Sequence, residues 1–401
     1  MKICWLQEKL GAFGGAESNV LSTARALQAR GAENILIHHE RTGLDEDRWH
    51  QAFPRTEPVG SSRPVTDVVR EISPDVIWIH NWNTSQDFVA LRELGIPMGR
   101  MVHDHALYCL RHYKYHPLTR KNCTRPASAA CIFPCLATIQ RGSGKWPLRF
   151  ASMAAKRREI ADNRRLDRLV VASEFMRGEL VKNQFAEDKI RILPPVPPDP
   201  QNAEPASPEG FQPGRILFVG QVIRGKGVDL LIRALHRIEG GWSLALAGRG
   251  SALPRCRALI EKLGLTSKVE IFGHLSPAEL SAQYRLAQVV AVPSAWQEPF
   301  GMVGIEAMRH ARALVGFDVG GIPDWLHDDE NGLLVRAGDV PALSEALRGL
   351  LGDPARCRNF GTRGLEAASQ RFSFSNYVDN LQRMLEELSG ASNSGTELSQ
   401  P

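Results

Sequence analysis

Several kinds of segment are missing from this chain of 401 residues. It contains no run of about eighteen apolar residues, so we expect no transmembrane helix. Residues 1–6 are largely apolar and a polar stretch follows them at once, which predicts a first buried strand instead of a signal peptide. We therefore expect a cytoplasmic protein.

The motifs of several common chemistries are also absent. The Gly-rich loop at residues 11–17 lacks the G-x-G-x-x-G spacing of dinucleotide-binding loops. No Asp-x-Asp pair follows a predicted strand, because Asp45-Glu46-Asp47 lies in a polar loop that we expect at the surface. No recognition motif for nucleic acid is present, so we expect no nucleic-acid partner.

Cysteine is scarce, and seven cysteines in a cytoplasmic chain argue against a disulfide framework. Four of them lie within one stretch of 27 residues: Cys109, Cys123, Cys131 and Cys135. With His112 and His116 they could supply a tetrahedral structural zinc site, although no two of them are separated by only two residues. Free thiols or an oxidisable pair are the alternative.

Acidic residues are few in one region of the chain. Residues 1–190 carry 28 Lys and Arg against 21 Asp and Glu, and residues 100–168 alone carry 15 against 4. A basic field of this kind suits phosphate groups or an anionic membrane surface. Within it, residues 145–168 predict a basic amphipathic helix, which either lies on a membrane or packs on the sheet with its basic face in solvent.

Strand-like apolar runs alternate with helical patterns in both halves of the chain, which predicts two α/β domains with parallel sheets. A Pro-rich stretch divides them and reads as a semi-rigid linker. The predicted organisation is an N-terminal domain at 1–192 with a Cys/His-rich insertion at 106–144, a linker at 193–213, a second domain at 214–370, a final helix at 371–389 and a disordered tail at 390–401.

The stretch from Glu298 to Glu306 joins a predicted strand to a helix that begins at Met302. A strand, a tight loop and a helix start direct backbone N–H groups at an anion, and Gly301 permits a close approach of the backbone to a ligand. We expect Glu306 to accept hydrogen bonds from ribose hydroxyls and Glu298 to reach a sugar. The alternative is a pair of solvated surface carboxylates.

Three further features lie where predicted strands end. Arg224 and Lys226 occupy a Gly-rich strand-to-helix loop, where two cations suit a diphosphate, or else form an exposed basic turn. The loop containing Gly14 and Gly15 could cradle phosphate or simply form a tight turn. His103 ends an apolar run beside an acidic residue and is a candidate functional histidine.

Together these motifs resemble the family 4 retaining glycosyltransferases of the GT-B fold, over residues 1 to about 388. The order and spacing of the motifs carry the resemblance. They are Gly14–Glu17, Val171–Met176, Lys189–Pro194, Arg224–Asp229, Glu298–Glu306, Gly320–Asp324 and Asn331–Val335.

The resemblance implies two Rossmann-like domains that face each other across a cleft, with the C-terminal helix crossing back to the first. It implies a nucleotide-sugar donor, carrying UDP or GDP, bound mainly by the second domain. The acceptor would be a hydroxyl of a glycan or lipid-linked molecule, and the reaction would retain configuration without a metal. The setting that the resemblance implies is cell-surface polysaccharide or lipopolysaccharide synthesis, either in the cytoplasm or at the inner membrane face.

The resemblance also assigns residues to roles. Glu306 would hold the ribose, Glu298 the donor sugar, and Arg224 and Lys226 the diphosphate leaving group. The remaining assignments are backbone N–H groups of Phe300, Gly301 and Met302 near the sugar and phosphate, closure by Gly14 and Gly15, and a sugar contact by His103.

The sequence departs from the family pattern at two positions. Gln221 stands where many members carry Arg, and Gly225 replaces a frequent acidic residue, so the role of Arg224 has to be tested. Two other readings stay open from the residues alone. One is a nucleotide-sugar epimerase or sugar phosphorylase of the same fold, and the other is a non-catalytic nucleotide-sugar-binding protein.

Overall fold

The computed structural model describes residues 1–11, 14–116, 119–141, 148–198 and 206–390. The chain divides into two compact units. Unit 1 comprises Met1–His112, Thr124–Pro198 and Phe374–Pro401, and unit 2 comprises Tyr113–Cys123 and Asp199–Ser373.

Unit 1 is built on a parallel sheet of seven strands. Its elements up to the linker are β1 (Lys2–Leu6), β2 (Lys9–Leu10), α1 (Gly15–Ala29), β3 (Glu33–His38), β4 (Glu40–Arg41), α2 (Glu46–Ala52), β5 (Arg55–Pro58), α3 (Val65–Ile72), β6 (Val76–Ile79), α4 (Gln86–Arg92), β7 (Met98–Val102), β8 (Ile139–Arg141), β9 (Leu148–Phe150), α5 (Met153–Asn163), β10 (Arg168–Val171), α6 (Glu174–Lys182) and β11 (Ile190–Ile192). The strand order is β11-β10-β7-β6-β1-β3-β5, while β2 with β4 and β8 with β9 form two small separate sheets.

Unit 2 is built on a parallel sheet of six strands in the order β14-β13-β12-β15-β16-β17. Its elements are β12 (Arg215–Val219), α7 (Val228–His236), β13 (Ser243–Ala247), α8 (Leu253–Lys262), β14 (Val269–Gly273), α9 (Pro277–Leu286), β15 (Val289–Val292), α10 (Met302–Arg309), β16 (Ala313–Asp318), β17 (Gly332–Arg336), α11 (Val340–Leu351) and α12 (Pro354–Arg371).

The central strands of both sheets are largely apolar. In β1 the residues Ile3–Leu6 are fully buried, and in β15 the residues Val289–Val292 are buried as well. Helices cover both faces of a parallel sheet, so such strands do not alternate between polar and apolar residues. The predicted alternation of apolar strands with helices is confirmed in both units.

The C-terminal helix α13 (Phe374–Ser389) belongs to unit 1, as the predicted crossover requires. Its residues Val378, Leu381 and Leu385 are buried. Tyr377 donates a hydrogen bond from its hydroxyl to Asn19 Oδ1 at 3.1 Å. Apolar packing and this buried hydrogen bond hold the last helix on α1. The tail predicted to be disordered from residue 390 lies almost wholly outside the described residues.

The predicted basic helix at 145–168 is wrong over much of its length. Residues 148–150 form strand β9, the helix α5 spans only Met153–Asn163, and residues 142–147 lie outside the described part of the chain. Ser152 caps α5 by accepting a hydrogen bond from the backbone of Ala155 at 3.2 Å. An N-cap serine marks a helix start, which is the physical reason that the helix does not extend further back.

The Cys/His-rich insertion does not stay within one unit. Its central part, Tyr113–Cys123, belongs to unit 2, although we expected the whole insertion in the N-terminal domain. Arg120 binds both carboxylate oxygens of Asp229 at 2.9 Å, and Gln297 donates to the carbonyl oxygen of Cys123 at 3.2 Å. These contacts, which link residues more than 100 positions apart, attach the segment to unit 2.

None of the described helices is both long enough and apolar enough to cross a bilayer.

Candidate active site

The order of strands in unit 2 reverses between β12 and β15, which are neighbours in the sheet. In open α/β sheets, ligands bind at the carboxyl ends of the strands beside such a reversal. The loop after β12 contains a 3₁₀ turn at Arg224–Lys226, and the loop after β15 contains Glu298. The topology thus brings the two predicted motifs to one place.

Backbone contacts lock these two loops together. The carbonyl oxygen of Gly225 accepts hydrogen bonds from the backbone N–H groups of Ala295 at 2.8 Å and Trp296 at 3.1 Å. Gly227 has a φ of +69°, and a Cβ there would lie 1.8 Å from the carbonyl oxygen of Pro293. Only glycine fits this position, since a side chain would separate the loops.

The side chains of Lys226 and Glu298 form an ion pair with Nζ and Oε1 2.6 Å apart. Glu298 is buried, with 3% of its surface exposed. The same Oε1 accepts hydrogen bonds from the Ser294 hydroxyl and from Trp296 Nε1, the latter at 2.8 Å. The Lys226 ammonium also lies 5.4 Å from the centre of the Trp296 ring, within range of a cation–π contact.

Opposing effects act on the pKa of Glu298. Burial raises it, but the charge of Lys226 and the hydrogen bonds from Lys226, Ser294 and Trp296 together outweigh burial and lower the pKa below 4.5. A carboxylate with three donors on one oxygen is stabilised in its charged form. The site therefore holds a buried, ionised carboxylate beside a partly exposed ammonium at neutral pH.

A pair of glycines supports the backbone of Glu298. Gly321 donates its N–H to the carbonyl oxygen of Glu298 at 2.8 Å. Gly320 has a φ of +61°, and a Cβ there would lie 2.3 Å from the same oxygen. The glycines of the predicted motif Gly320–Asp324 thus pack against the backbone of Glu298.

Glu306 lies on α10 and is half-buried. Its Oε2 accepts a hydrogen bond of 2.7 Å from the hydroxyl of Tyr284, a buried residue whose ring stacks on His310. Burial raises the pKa of Glu306, and the hydrogen bond from Tyr284 acts against that shift. In the part of the chain that the structure describes, Glu306 and Glu298 do not contact each other. The two predicted carboxylates therefore lie along one loop and helix but have different partners.

The start of α10 is shaped by a tryptophan. Trp325 donates from Nε1 to the carbonyl oxygen of Phe300 at 2.7 Å, and its ring lies against Gly301 and Gly304. Phe300 is buried, so its side chain serves the core, while Gly301 caps the helix with a φ of +96°. The first N–H groups of a helix have no partner within it, which leaves those at the start of α10, from Met302 on, to bind an anion.

Arg224 lines a different cavity of unit 2, of about 340 Å³. Its other charged lining residues are Arg120, Asp229 and Arg255. Neither Lys226 nor Glu298 lines this cavity as far as the described residues show. The two predicted cations are therefore close in sequence but point to different surroundings.

In unit 1, two histidines meet at the carboxyl ends of β6 and β7. His80 Nδ1 and His103 Nε2 are 2.7 Å apart, and the two rings stack with centres 5.0 Å apart. Burial lowers the pKa of His103 to about 4 and that of His80 well below 6.5. The pair is neutral at pH 7, and one ring donates to the other.

The predicted glycine loop of unit 1 leads into α1. Gly14 precedes the helix and Gly15 begins it. A Cβ on Gly14 would lie 2.4 Å from Oε2 of Glu17, whose other oxygen accepts a hydrogen bond from Asn81 at 3.2 Å. Gly14 thus leaves room for the Glu17 carboxylate at the start of α1.

The predicted zinc ligands have separate surroundings. Cys123 belongs to unit 2, whereas Cys109, Cys131 and Cys135 belong to unit 1. Cys131 and Cys135 pack against a small apolar cluster that includes Leu110. Within the described ranges, no three His, Cys, Asp or Glu side chains are placed to hold a metal ion. Zinc in this segment stays a prediction from residue spacing.

Two family models match successive parts of the chain. The one described as Glycosyltransferase Family 4 matches residues 13–196, and the one described as Glycosyl transferases group 1 matches residues 202–367. This chain belongs to the family 4 glycosyltransferases.

Curated relatives match this family 4 chain over about half of its length. A D-inositol 3-phosphate glycosyltransferase of Nocardia farcinica is 34% identical over 233 residues, which cover 54% of this chain and 51% of the relative. An alpha-maltose-1-phosphate synthase of Mycolicibacterium smegmatis is 29% identical over 248 residues, which cover 56% of this chain and 64% of the relative. The chain thus spans about half the length of the first of these relatives and under two thirds of the second.

Solved structures share the fold of this family 4 chain. The structure of Anabaena HepE in complex with UDP aligns with a TM-score of 0.72 at 18% identity, covering 96% of this chain and all of HepE. At this identity the likeness shows the fold alone. It confirms the predicted α/β architecture of the GT-B type, with two domains.

Three residues that the family motifs did not single out complete the site of this family 4 chain. Ser294 and Trp296 donate to Glu298, and Tyr284 donates to Glu306. A serine and a tryptophan within four residues before a loop glutamate were a readable signal for the first two. Tyr284 lies 22 residues before its partner, and only the packing of α9 beside α10 reveals it.

Proposed function

We propose that this protein transfers a hexose from a nucleoside diphosphate sugar to a hydroxyl of a glycan or lipid-linked acceptor. The donor nucleotide is UDP or GDP, the anomeric configuration is retained, and no metal is required. The observation that carries the proposal is the Lys226–Glu298 pair at the strand reversal of unit 2, beside the N-terminus of α10.

Lys226 acts on the leaving group. Its ammonium has three donors, of which one meets Glu298, and 21% of its side chain is exposed. The remaining donors and the N–H groups at the start of α10 neutralise charge that develops on the departing diphosphate. Arg224 is exposed and lies on the same turn, but it lines the separate cavity beside Asp229, so its assignment to the diphosphate stays a prediction.

The two carboxylates recognise the donor. All three donors to Glu298 converge on Oε1, so Oε2 is the atom that we assign to a sugar hydroxyl. Glu306, oriented by Tyr284, accepts from the ribose hydroxyls. The backbone of Gly301 approaches the sugar, Gly14 and Gly15 close over the phosphates, and His103 contacts the sugar as a neutral imidazole.

The reaction exchanges one bond for another at the anomeric carbon. The bond from that carbon to the diphosphate oxygen breaks, and a bond to the acceptor oxygen forms on the same face of the ring. The acceptor hydroxyl gives its proton to the departing phosphate oxygen. Charge develops only on the leaving group and the sugar ring, which is why fixed cations and helix N–H groups suffice.

An anionic acceptor at an anionic membrane surface fits the basic character of unit 1. The parts of residues 100–168 that belong to unit 1, residues 100–112 and 124–168, carry 12 Lys and Arg against 4 Asp and Glu. The name of the Nocardia relative contains a phosphorylated polyol, which supports a phosphate on the acceptor. Synthesis of a cell-surface polysaccharide or lipopolysaccharide is the setting that we propose.

Donor binding is tested by thermal shift with UDP, GDP, UDP-glucose and GDP-mannose. A nucleotide that binds the folded state should raise Tm, and the increase should grow with the logarithm of its concentration. A protein that responds to none of these nucleotides does not bind a donor of the proposed class.

The role of Lys226 is tested by Lys226→Ala, assayed for release of nucleoside diphosphate from the preferred donor. We expect a loss of roughly hundredfold or more, because a preorganised charge on the leaving group is removed. Lys268→Ala is the matched control, since Lys268 also lies over a tryptophan ring in unit 2, at 4.8 Å, but its ammonium donates to the carbonyl oxygen of Gly240 and meets no carboxylate among the described residues. Near wild-type turnover in a folded Lys226→Ala variant contradicts the assignment.

A further inference from the structure

Large apolar side chains are exposed in one short part of unit 1. Ten large hydrophobic residues are exposed in the described part of the chain, and half of them lie between residues 132 and 150. We call these five the 132–150 patch: Ile132, Phe133, Leu136, Ile139 and Phe150. Phe133 is 76% exposed and Phe150 is 77% exposed. Such a concentration of apolar surface marks an interaction site.

The members of the patch are connected through the backbone. The N–H of Leu136 donates to the carbonyl of Ile132 at 3.1 Å, and the N–H of Ile139 donates to the carbonyl of Leu136 at 3.1 Å. Ile139 is the direct partner of Phe150 across the β8–β9 pairing. Backbone hydrogen bonds and strand pairing therefore link Ile132, Leu136, Ile139 and Phe150 within one short part of unit 1.

The patch is held outward by a packed inner side. Leu110, Ala137 and Met153 form a buried cluster, with Cys131 and Cys135 packed against it. Arg111 donates to the carbonyl oxygens of Cys135 and Leu136, each at 2.9 Å. The segment buries other apolar residues, so the exposure of Phe133 and Phe150 is not the result of a missing core.

The charge around the patch selects its partner. Within unit 1, the sequence of residues 124–158, which contains the patch, has 7 Lys and Arg and no Asp or Glu. An exposed apolar cluster within a basic field matches the interface of a bilayer that contains anionic lipids, where aromatic and aliphatic side chains enter the headgroup region and cations meet the phosphates.

A cavity of about 890 Å³ adjoins the patch within unit 1. Phe150 and Arg149 line it, together with Arg158 and residues that follow β6 and β7, such as Asn83 and Ala106. Its one acidic lining residue, Glu159, is bound by Lys156. An opening with a phenylalanine and two arginines suits an amphipathic ligand that carries a phosphate.

We propose that the 132–150 patch inserts into the headgroup region of an anionic bilayer. The adjoining cavity then lies at the membrane surface, where the phosphate of a lipid-linked acceptor reaches it. The assignment of the cavity rests on the proposed function, whereas insertion of the patch does not depend on sugar transfer.

Vesicle flotation with the full-length protein tests the insertion. Vesicles of phosphatidylcholine alone are compared with vesicles that also contain phosphatidylglycerol. We expect binding to the anionic vesicles, and a weaker response when salt is raised, because each arginine near the surface contributes about fivefold to the partition coefficient. Absence of binding to anionic vesicles overturns the proposal.

The double variant Ile132→Ser/Phe133→Ser tests the surface itself. It should lower the partition coefficient by about tenfold or more, since two large apolar side chains no longer leave water. Leu44→Ser is the matched control, because Leu44 is 58% exposed in unit 1 but lies outside the patch, and it should bind as the wild type does. Equal binding by the double variant and the wild type overturns the proposal.

Two further measurements separate the alternatives. Size-exclusion chromatography shows whether the patch instead joins two copies of this chain, in which case the double variant loses a dimer and keeps its vesicle binding, against the proposal. Donor hydrolysis without vesicles should be unchanged in the double variant. If the wild type itself hydrolyses no donor, the proposed function is wrong, but the flotation result still tests the insertion of the patch.

Discussion

Each unit places a close pair of titratable side chains at the carboxyl edge of its parallel sheet, and the two pairs differ in charge. In unit 2, Lys226 and Glu298 are an ammonium and a carboxylate 2.6 Å apart. In unit 1, His80 and His103 are two neutral rings 2.7 Å apart. Two similar folds thus hold an ionised pair in one unit and an uncharged pair in the other.

The difference arises from the partners and not from burial itself. Burial raises the pKa of Glu298, yet a cation and two neutral donors reverse that shift. Burial, with a smaller contribution from Arg100, lowers the pKa of His103 to about 4, because the charge of Asp104 opposes the shift only in part. A buried group keeps its charge only where an opposite charge and enough hydrogen bonds replace the lost water.

Removing the cation should abolish the difference between the two pairs. In Lys226→Met the carboxylate of Glu298 is left buried without its counter-ion, and we expect the free energy of unfolding at pH 7 to fall by about 3 kcal/mol. The double variant Lys226→Met/Glu298→Gln should recover much of the loss. Denaturant unfolding at pH 7 measures both.

The pH dependence of that loss has a definite sign. The wild-type pair stabilises the fold above pH 4.5, and this contribution is lost as pH falls through the lowered pKa of Glu298. In Lys226→Met the charge that lowers the pKa of Glu298 is gone, so burial raises this pKa. Protonation of Glu298 then removes the buried charge and restores part of the variant's stability. The gap between variant and wild type should narrow on acidification. A gap independent of pH would mean that lost packing, not charge, is the cause.

Acid should charge the histidine pair and destabilise unit 1. The unfolded-state pKa of histidine is 6.5 and the folded pKa of His103 is about 4, so the unfolded state takes up its proton first. Stability is complete above pH 6.5 and declines toward pH 4, by up to about 3 kcal/mol. The free energy of unfolding, measured between pH 6.5 and pH 4, should decline less steeply in His103→Gln than in the wild type. An equally steep decline in the variant would mean that other groups cause the loss.

Removing one neutral donor should have a smaller effect than removing the cation. Trp296→Phe keeps an aromatic ring beside Lys226 but deletes the N–H that reaches Glu298 Oε1 at 2.8 Å. A hydrogen bond to a charged group contributes about 2 kcal/mol, so we expect a loss of stability of that size. Trp242→Phe is the control, since its N–H meets only the carbonyl of Ile238. Equal losses of stability in the two variants would mean that the hydrogen bond from Trp296 to Glu298 contributes no more than the one from Trp242 to a carbonyl oxygen.

Breaking a partly exposed ion pair should lower the free energy of unfolding less than any of the changes above. Arg120 binds Asp229 with both partners at the surface edge, their side chains 18% and 32% exposed. Water screens such a pair, so Arg120→Gln should cost at most about 1 kcal/mol. Limited proteolysis within Tyr113–Cys123 should nevertheless become faster, because the segment loses its bidentate attachment. Unchanged cleavage would show that other contacts hold it.

The strands and the loop-to-helix motifs could be read from the sequence with little error. The helix α10 was predicted with its observed start at Met302, because a glycine precedes it and its apolar periodicity is clear. The ion pair of Lys226 and Glu298 was predicted only as a shared ligand site. The direct bond between them depends on the adjacency of β12 and β15, which local patterns do not encode.

The errors fall in the insertion at 106–144 and in the stretch that follows it, where local patterns were weak. The run of cations at 145–168 suggested one long helix, but a cap at Ser152 and the pairing of Ile139 with Phe150 divide it. The partner of His103 could not be inferred either, since His80 lies 23 residues earlier on a neighbouring strand. Long-range partners of this kind are set by sheet order, not by propensity.

The assignment of Tyr113–Cys123 and α13 has a practical consequence for anyone who wishes to divide the protein. The polypeptide passes between the units four times, after His112, Cys123, Pro198 and Ser373. A cut in the Pro-rich stretch would yield an N-terminal fragment without its closing helix and a C-terminal fragment without the piece that Arg120 fastens. Neither half can be expressed as one uninterrupted stretch of sequence, so mutual complementation of fragments, and not isolated domains, is the way to study them apart.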